Sequence, residues 1–190
     1  MRGLPEIKVA DGTDTYFPTV AGVFKPSFNL IGQGVGENQR IGNQIVAKRI
    51  EIRCKCSNEA VSVVTAGCVW SVALVLDKQC NGASPSTGDI FEDVASDGPL
   101  AYNKIENKDR FVILRRKIFA NNTIAMPNTT SGGKVYKYFS WSVPLNFKIN
   151  YGGPTNAITE IKSNNLMLVA MTDNNTGTLI VQQRFKFIDC

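Results

Sequence analysis

Cysteines and carboxylates offer the first candidates for chemistry. Cys54 and Cys56 flank Lys55, so in an extended chain both thiols point to one face, either as half of a zinc site or as small buried apolar groups. The remaining cysteines, Cys68, Cys80 and Cys190, form no second close pair, and the chain contains no His. A zinc site therefore lacks ligands, and an odd cysteine count without paired spacing speaks against a disulfide framework. The absence of His also excludes Ser-His-Asp and Cys-His nucleophiles and His-ligated metals.

Asp89, Glu92 and Asp93 could attract calcium, but the ligand loop of known calcium motifs is missing, and a solvated acidic face accounts for them. The run Gly32-Gln33-Gly34-Val35-Gly36 has the glycines of a phosphate loop without the Lys-Ser or Lys-Thr and the strand-then-helix frame that such a loop needs. Glu92, Asp93, Asp97, Glu106 and Glu160 show none of the pairing required for glycoside hydrolysis. The Asn-x-Thr triplets at Asn121, Asn128 and Asn174 read as chance in an Asn- and Thr-rich chain, because nothing in the sequence encodes a secretory route. No catalytic residue, metal or cofactor is expected.

Charge is more informative. Residues 1–47 carry Arg2, Lys8, Lys25 and Arg40 against Glu6, Asp11, Asp14 and Glu37. The net charge of +5 therefore lies wholly in residues 48–190, where 17 basic residues face 12 acidic ones. A surface of that sign suits a polyanion.

The elements that must position these charges are strands. From residue 43 to 56 the period is two, with Val46, Ile50, Ile52, Cys54 and Cys56 on one face and Arg49, Glu51, Arg53 and Lys55 on the other, the pattern of a half-buried strand. Residues 68–76 are almost continuously apolar, as in a strand covered on both sides. Further strands are expected at 109–119, 134–151, 165–172 and 178–188. In the 134–151 run Phe139 and Trp141 belong to the apolar face, and Pro144 marks a bulge or an edge. One short helix starts at Ser86 or Thr87 and runs to Val94, with Asp89 completing a capping box. Residues 1–42 promise one short strand and an ordered arm, and Asn81-Gly82 a turn with positive φ.

At 190 residues, 43% hydrophobic and 19% charged, the chain can bury a core as a single domain, with 1–42 as its N-terminal segment and 43–190 as the main sandwich. No apolar run reaches the roughly 20 residues that span a bilayer, so no membrane partner is expected. At least six strands with Gly-, Asn- and Pro-rich loops indicate an all-β sandwich, for which the double-sheet jelly roll is a closed solution.

Several segments in order carry a resemblance: Asn29-Leu30-Ile31-Gly32-Gln33-Gly34, Gln39-Arg40-Ile41-Gly42-Asn43-Gln44-Ile45, Leu76-Asp77-Lys78-Gln79-Cys80-Asn81-Gly82-Ala83, Arg110-Phe111-Val112-Ile113-Leu114, Lys148-Ile149-Asn150-Tyr151, Ser163-Asn164-Asn165-Leu166 and Arg184-Phe185-Lys186-Phe187-Ile188-Asp189. From about Leu30 to the C-terminus the series resembles the capsid proteins of circovirus-like, circular single-stranded DNA viruses, and more distantly the coats of satellite plant viruses. The resemblance implies an eight-stranded viral jelly roll with one short helix in a loop, no enzymatic activity, and self-assembly into a small icosahedral shell, of sixty copies, around single-stranded nucleic acid, with DNA preferred. It implies a virion protein that passes through the host nucleus or cytoplasm during assembly. Such coats usually begin with an Arg- and Lys-rich arm, and the neutral N-terminal segment here departs from that pattern.

In the jelly-roll order the first and last long strands are neighbours. Leu179, Val181, Phe185 and Phe187 share one face of the last strand, leaving Arg184 and Lys186 on the other. Arg49, Arg53, Lys55, Arg184 and Lys186 are then expected on one basic sheet face, the nucleic-acid-binding face that in the resembling coats looks into the particle. The bland alternative is a solvated sheet face with Glu51 as an ion-pair partner. A non-viral jelly-roll binding module, lectin-like or a trimeric ligand domain, is the rival function. It would normally bring a secretory signal, a disulfide or a metal-binding loop.

Overall fold

A computed structural model of the protein describes residues 6–25, 27–58, 67–80, 82–122, 135–173 and 177–190. Its strands are β1 (Lys8–Tyr16), β2 (Val23–Lys25), β3 (Gln44–Asn58), β4 (Gly67–Asp77), β5 (Phe111–Asn122), β6 (Val135–Tyr151), β7 (Ile161–Ser163), β8 (Asn165–Thr172) and β9 (Gly177–Asp189). They form two antiparallel sheets, one in the order β1-β9-β3-β6-β7 and the other in the order β2-β8-β4-β5. Setting aside three-residue β7, the remaining eight strands among the described residues switch sheet at each step except from β4 to β5, which pair within one sheet, the double Greek-key order of a jelly roll. The N-terminal segment supplies two strands where one short one was expected, and each becomes an edge strand: β1 beside β9 and β2 beside β8.

The main core lies between the sheets. Inward residues of β3 and β9, among them Ile50, Ile52, Phe185 and Phe187, meet Trp70, Val72, Leu74 and Leu168 from the facing sheet. Trp70 is fully buried; its indole N–H donates to Asn58 Oδ1 at 2.9 Å, and Asn58 in turn donates to the Asn121 carbonyl at 2.9 Å. Gly177 is required beside it, because a Cβ there would lie 2.5 Å from the indole ring. Phe139 and Trp141, 5.0 Å apart between ring centroids, are only half-buried at the margin of this core, so the largest aromatic weight rests on Trp70, Phe185 and Phe187.

A second cluster explains the continuous apolar character of β4 and β8. Ala73, Val75, Met167, Val169 and Met171 point away from the facing sheet and are covered by Ile90, Phe91 and Ala101 from the 78–110 connection. The expected helix there is split into α1 (Thr87–Ile90) and α2 (Val94–Asp97). The capping box of Ser86 and Asp89 starts α1, but Asp93 adopts the left-handed conformation with φ 46° and interrupts the continuation, a conformation Asp tolerates better than most residues. Gly82 has the expected positive φ, 76°.

One face assignment is corrected. Ile45 and Ala47 are buried and Val46 is not, whereas from Ile50 onward the even positions are buried. The pairing of β3 with both neighbours slips between Ala47 and Arg49: against β9 it passes from Ala47–Phe187 to Arg49–Lys186, so Lys48 is an extra residue there, and against β6 it passes from Ala47–Phe147 to Arg49–Pro144. Such a bulge reverses which parity faces inward. It lies opposite Pro144, which cannot donate to the ladder.

Candidate nucleic-acid interface

The two sheets differ on their outer faces. The β2-β8-β4-β5 sheet is roofed by the 78–110 connection, while the other sheet presents polar and charged side chains outward. Pairing registers place these in rows across β1, β9, β3 and β6: Val9, Lys186, Arg49 and Pro144; then Asp11, Arg184, Glu51 and Ser142; then Thr13, Gln182, Arg53 and Ser140; then Thr15, Ile180, Lys55 and Tyr138. All five sequence-selected cations thus share one face on adjacent strands. The bulge at Lys48 brings Arg49 level with Lys186, in step with the other cations of β3.

Their electrostatic states differ. Arg184 forms a two-pronged bond to Asp11, Nε donating to Oδ1 at 2.9 Å and a terminal nitrogen to Oδ2 at 2.7 Å. Lys186 donates to Glu51 Oε1 at 2.7 Å. The hydrogen bond from Arg184 holds the Asp11 carboxyl below the usual carboxylate range, and the bond from Lys186 does the same for Glu51. Arg49 donates to the Ser142 hydroxyl at 2.8 Å. The Lys55 ammonium lies 4.2 Å from the Tyr136 ring centroid, a cation–π contact. Arg53 is exposed beside an open concavity of about 580 Å³ whose lining includes Asp11, Glu51, Ser140, Gln182 and Arg184.

Of the five sequence-selected cations, two are therefore already neutralised at neutral pH. Glu51 was legible as a partner because it lies among the cations of β3. Asp11 was not, since its role depends on β1 pairing with β9, which a weakly alternating Lys8–Tyr16 segment does not announce.

Other candidates resolve differently. Asp89 serves the α1 cap, and Glu92 accepts from the Ile105 N–H at 3.3 Å. Among the described residues no group of three or more Cys, Asp or Glu is placed to hold a metal ion. Cys54, Cys56, Cys68 and Cys80 are buried. Burial pushes the Cys54 thiol up to about 12 and the Cys68 thiol up to about 11, so neither supplies a thiolate at neutral pH. Asn121 is buried in β5, and the triplets at Asn128 and Asn174 fall outside the described residues.

The Gly32–Gly36 loop closes on Arg40, which is fully buried and forms no ion pair among the described residues. Its guanidinium donates to the carbonyls of Ile31, Gly42 and Gly153 and lies 4.2 Å from the Tyr151 ring centroid. Gly32 and Gly34 bond the Arg40 backbone while carbonyls around the loop hold its guanidinium, an arrangement built for a cation, the reverse of a phosphate site.

No curated protein sequence is matched by the chain. Among solved structures, the 60-mer BFDV capsid protein is 9% identical at a TM-score of 0.22, covering 97% of this chain and 93% of that one. The T13 IBDV viral particle is 10% identical at 0.19, covering 97% and 35% of the two chains. The infectious bursal virus-derived T=1 particle is 9% identical at 0.13, covering 98% and 40%. Superposition at this level carries no weight, and the jelly roll stands on its own strand order. The sequence profile of a coat-protein family matches residues 9–190, from the second residue of β1 through the end of β9. With that match running the length of both sheets, the chain belongs to the geminivirus coat protein/nuclear export factor BR1 family.

Proposed function

We propose that the chain, taken as one jelly-roll unit over 1–190, is a shell-forming coat subunit that assembles with copies of itself, sixty in the simplest closed shell, around single-stranded DNA. The observation that carries this reading is the asymmetry of the two sheets in a chain of coat-protein family: one outer face is roofed, and the other is open, concave and cationic. A closed shell needs an inner surface that tolerates any sequence, and phosphate contacts by Arg and Lys are electrostatic and indifferent to sequence. Arg49, Arg53 and Lys55 provide these contacts at neutral pH, while Asp11 and Glu51 hold Arg184 and Lys186 back from the strand. Loops at the sandwich corners supply the heterologous subunit contacts that rotation axes require. The role is structural and not enzymatic, and it places the protein in the virion, with assembly in the host nucleus or cytoplasm.

Electron microscopy and light scattering of the purified protein with and without a single-stranded oligonucleotide test the proposal. Closed symmetric particles that retain the oligonucleotide are expected. A monomer at every salt and pH that still binds the strand would move the chain to the export-factor side of its family; a monomer that binds nothing would overturn both readings.

A further inference from the structure

The far end of the open sheet carries aromatic rings as well as charge. Tyr136 and Tyr138 lie on the outward face of β6 with ring centroids 6.3 Å apart, and they are 42% and 64% exposed. Large aromatic surface left in water on a sheet face gains nothing for the fold, whereas Phe139 and Trp141 on the opposite side of the same strand contribute to the core. Lys55, opposite Tyr138 in the register, holds its ammonium 4.2 Å from the centroid of Tyr136 and 6.0 Å from that of Tyr138. Arg53 lies one row away on the same face. Rings exposed beside cations on a sheet surface combine the two recognition elements of single strands, a phosphate contact and a flat face on which a base stacks.

We infer that Tyr136 and Tyr138, with Lys55 between them, form a nucleobase-stacking subsite at the end of the cationic face, which takes one or two unpaired bases of a single-stranded nucleic acid. This rests on the reading of the face as a nucleic-acid interface and adds that bases, and not phosphates alone, are held. Lys55 tilts over Tyr136, so the more exposed Tyr138 ring is the primary platform. Stacking of this kind tolerates any base, because every base has a π face.

The test separates the two claims by using two probes with equal phosphate counts, a twenty-nucleotide oligothymidylate and an abasic oligomer of the same length. Wild type is expected to bind the thymidylate roughly tenfold more tightly per stacked base, while Tyr138→Ala and Tyr136→Ala lose that preference and keep both the abasic affinity and its salt dependence. Tyr138→Phe, which retains the ring, keeps the preference. Equal wild-type affinity for the two probes would overturn the stacking subsite and leave the charged interface standing. Equal loss on both probes in the alanine variants, or loss in Tyr138→Phe, would show that the tyrosines act through the fold or the hydroxyl. Failure of wild type to bind either probe would overturn the interface itself and the subsite with it.

Discussion

If the cationic face holds a single strand as proposed, two carboxylates on it set how strongly, and their removal gives a quantitative test. Asp11 neutralises Arg184 and Glu51 neutralises Lys186, so of the five selected cations Arg49, Arg53 and Lys55 would meet phosphate on the proposed reading without displacing an acid. For single strands each neutralised phosphate contributes roughly 0.7 to the slope of log affinity against log salt, so three contacts give a slope of about 2 and five give about 3.5. The double variant Asp11→Asn, Glu51→Gln frees both cations. It should bind a single-stranded oligonucleotide more tightly at low salt and steepen the slope by about 1.4. The Arg184–Asp11 pair is solvent-exposed and the Lys186–Glu51 pair partly so, so the fold should tolerate their loss.

Fluorescence anisotropy across a salt series, for wild type and variant, is the assay. Acid should mimic the mutation. Both carboxyls titrate below their unfolded values, so the pairs are intact above the ordinary carboxylate pKa and are lost as pH falls through the depressed folded values. The wild-type slope should then hold constant from neutrality down to that point and rise below it. A double variant with an unchanged slope at neutral pH would show that the strand does not lie on this face.

Other expectations concern the core and its thiols. Trp70→Ala should destabilise the fold by about 3–5 kcal/mol in chemical denaturation, and half-buried Trp141→Ala by clearly less; the reverse order would contradict the packing. Gly177→Ala forces a Cβ into the Trp70 ring and should lose about 1–3 kcal/mol by the same measurement. Asp77 is fully buried and binds Arg110 through both oxygens at 2.9 Å, so Asp77→Asn should cost on the order of 3 kcal/mol. In the native protein at pH 8 a thiol reagent should modify Cys190 and leave Cys54, Cys56, Cys68 and Cys80 unreacted until unfolding, since Cys190 is exposed and burial raises the pKa of the other four.

The strands were legible because their alternation is local. The inward facing of the odd-numbered residues of β6 from Phe139 onward, the burial of Ile50, Ile52, Cys54 and Cys56 on β3, and the covering of both faces of β4 and β8 follow from side-chain period and apolar content alone. The departures arise where a local rule depends on a distant partner. Val46 looks inward-facing until the extra residue Lys48 is known, and nothing in Ile45-Val46-Ala47-Lys48-Arg49 signals a bulge except Pro144, nearly a hundred positions away. The helix from Ser86 to Val94 had a correct start, since Ser86 and Asp89 form a local box. Its interruption at Asp93 accompanies the antiparallel bridge from Phe91 to Asn103 and the burial of Phe91 over the sheet, both of which are tertiary.

The same distinction decides what was legible in the site. The identity of the five cations came from alternation within single strands, and their assembly onto one face from the jelly-roll order, which sets β9 beside β3. Their effective charge did not, because an ion pair depends on register to within one residue. Asp11 meets Arg184 only because Lys8 pairs with Phe187 and the count runs without a slip to that row. Moving β1 by one residue would turn Asp11 toward the core and Ala10 or Gly12 toward Arg184, leaving four unneutralised cations in place of three. On the proposed reading the two acids limit the grip of this face, because two of its cations are then shared between internal carboxylates and phosphates, and binding weakens with salt more gently than it would with five free cations.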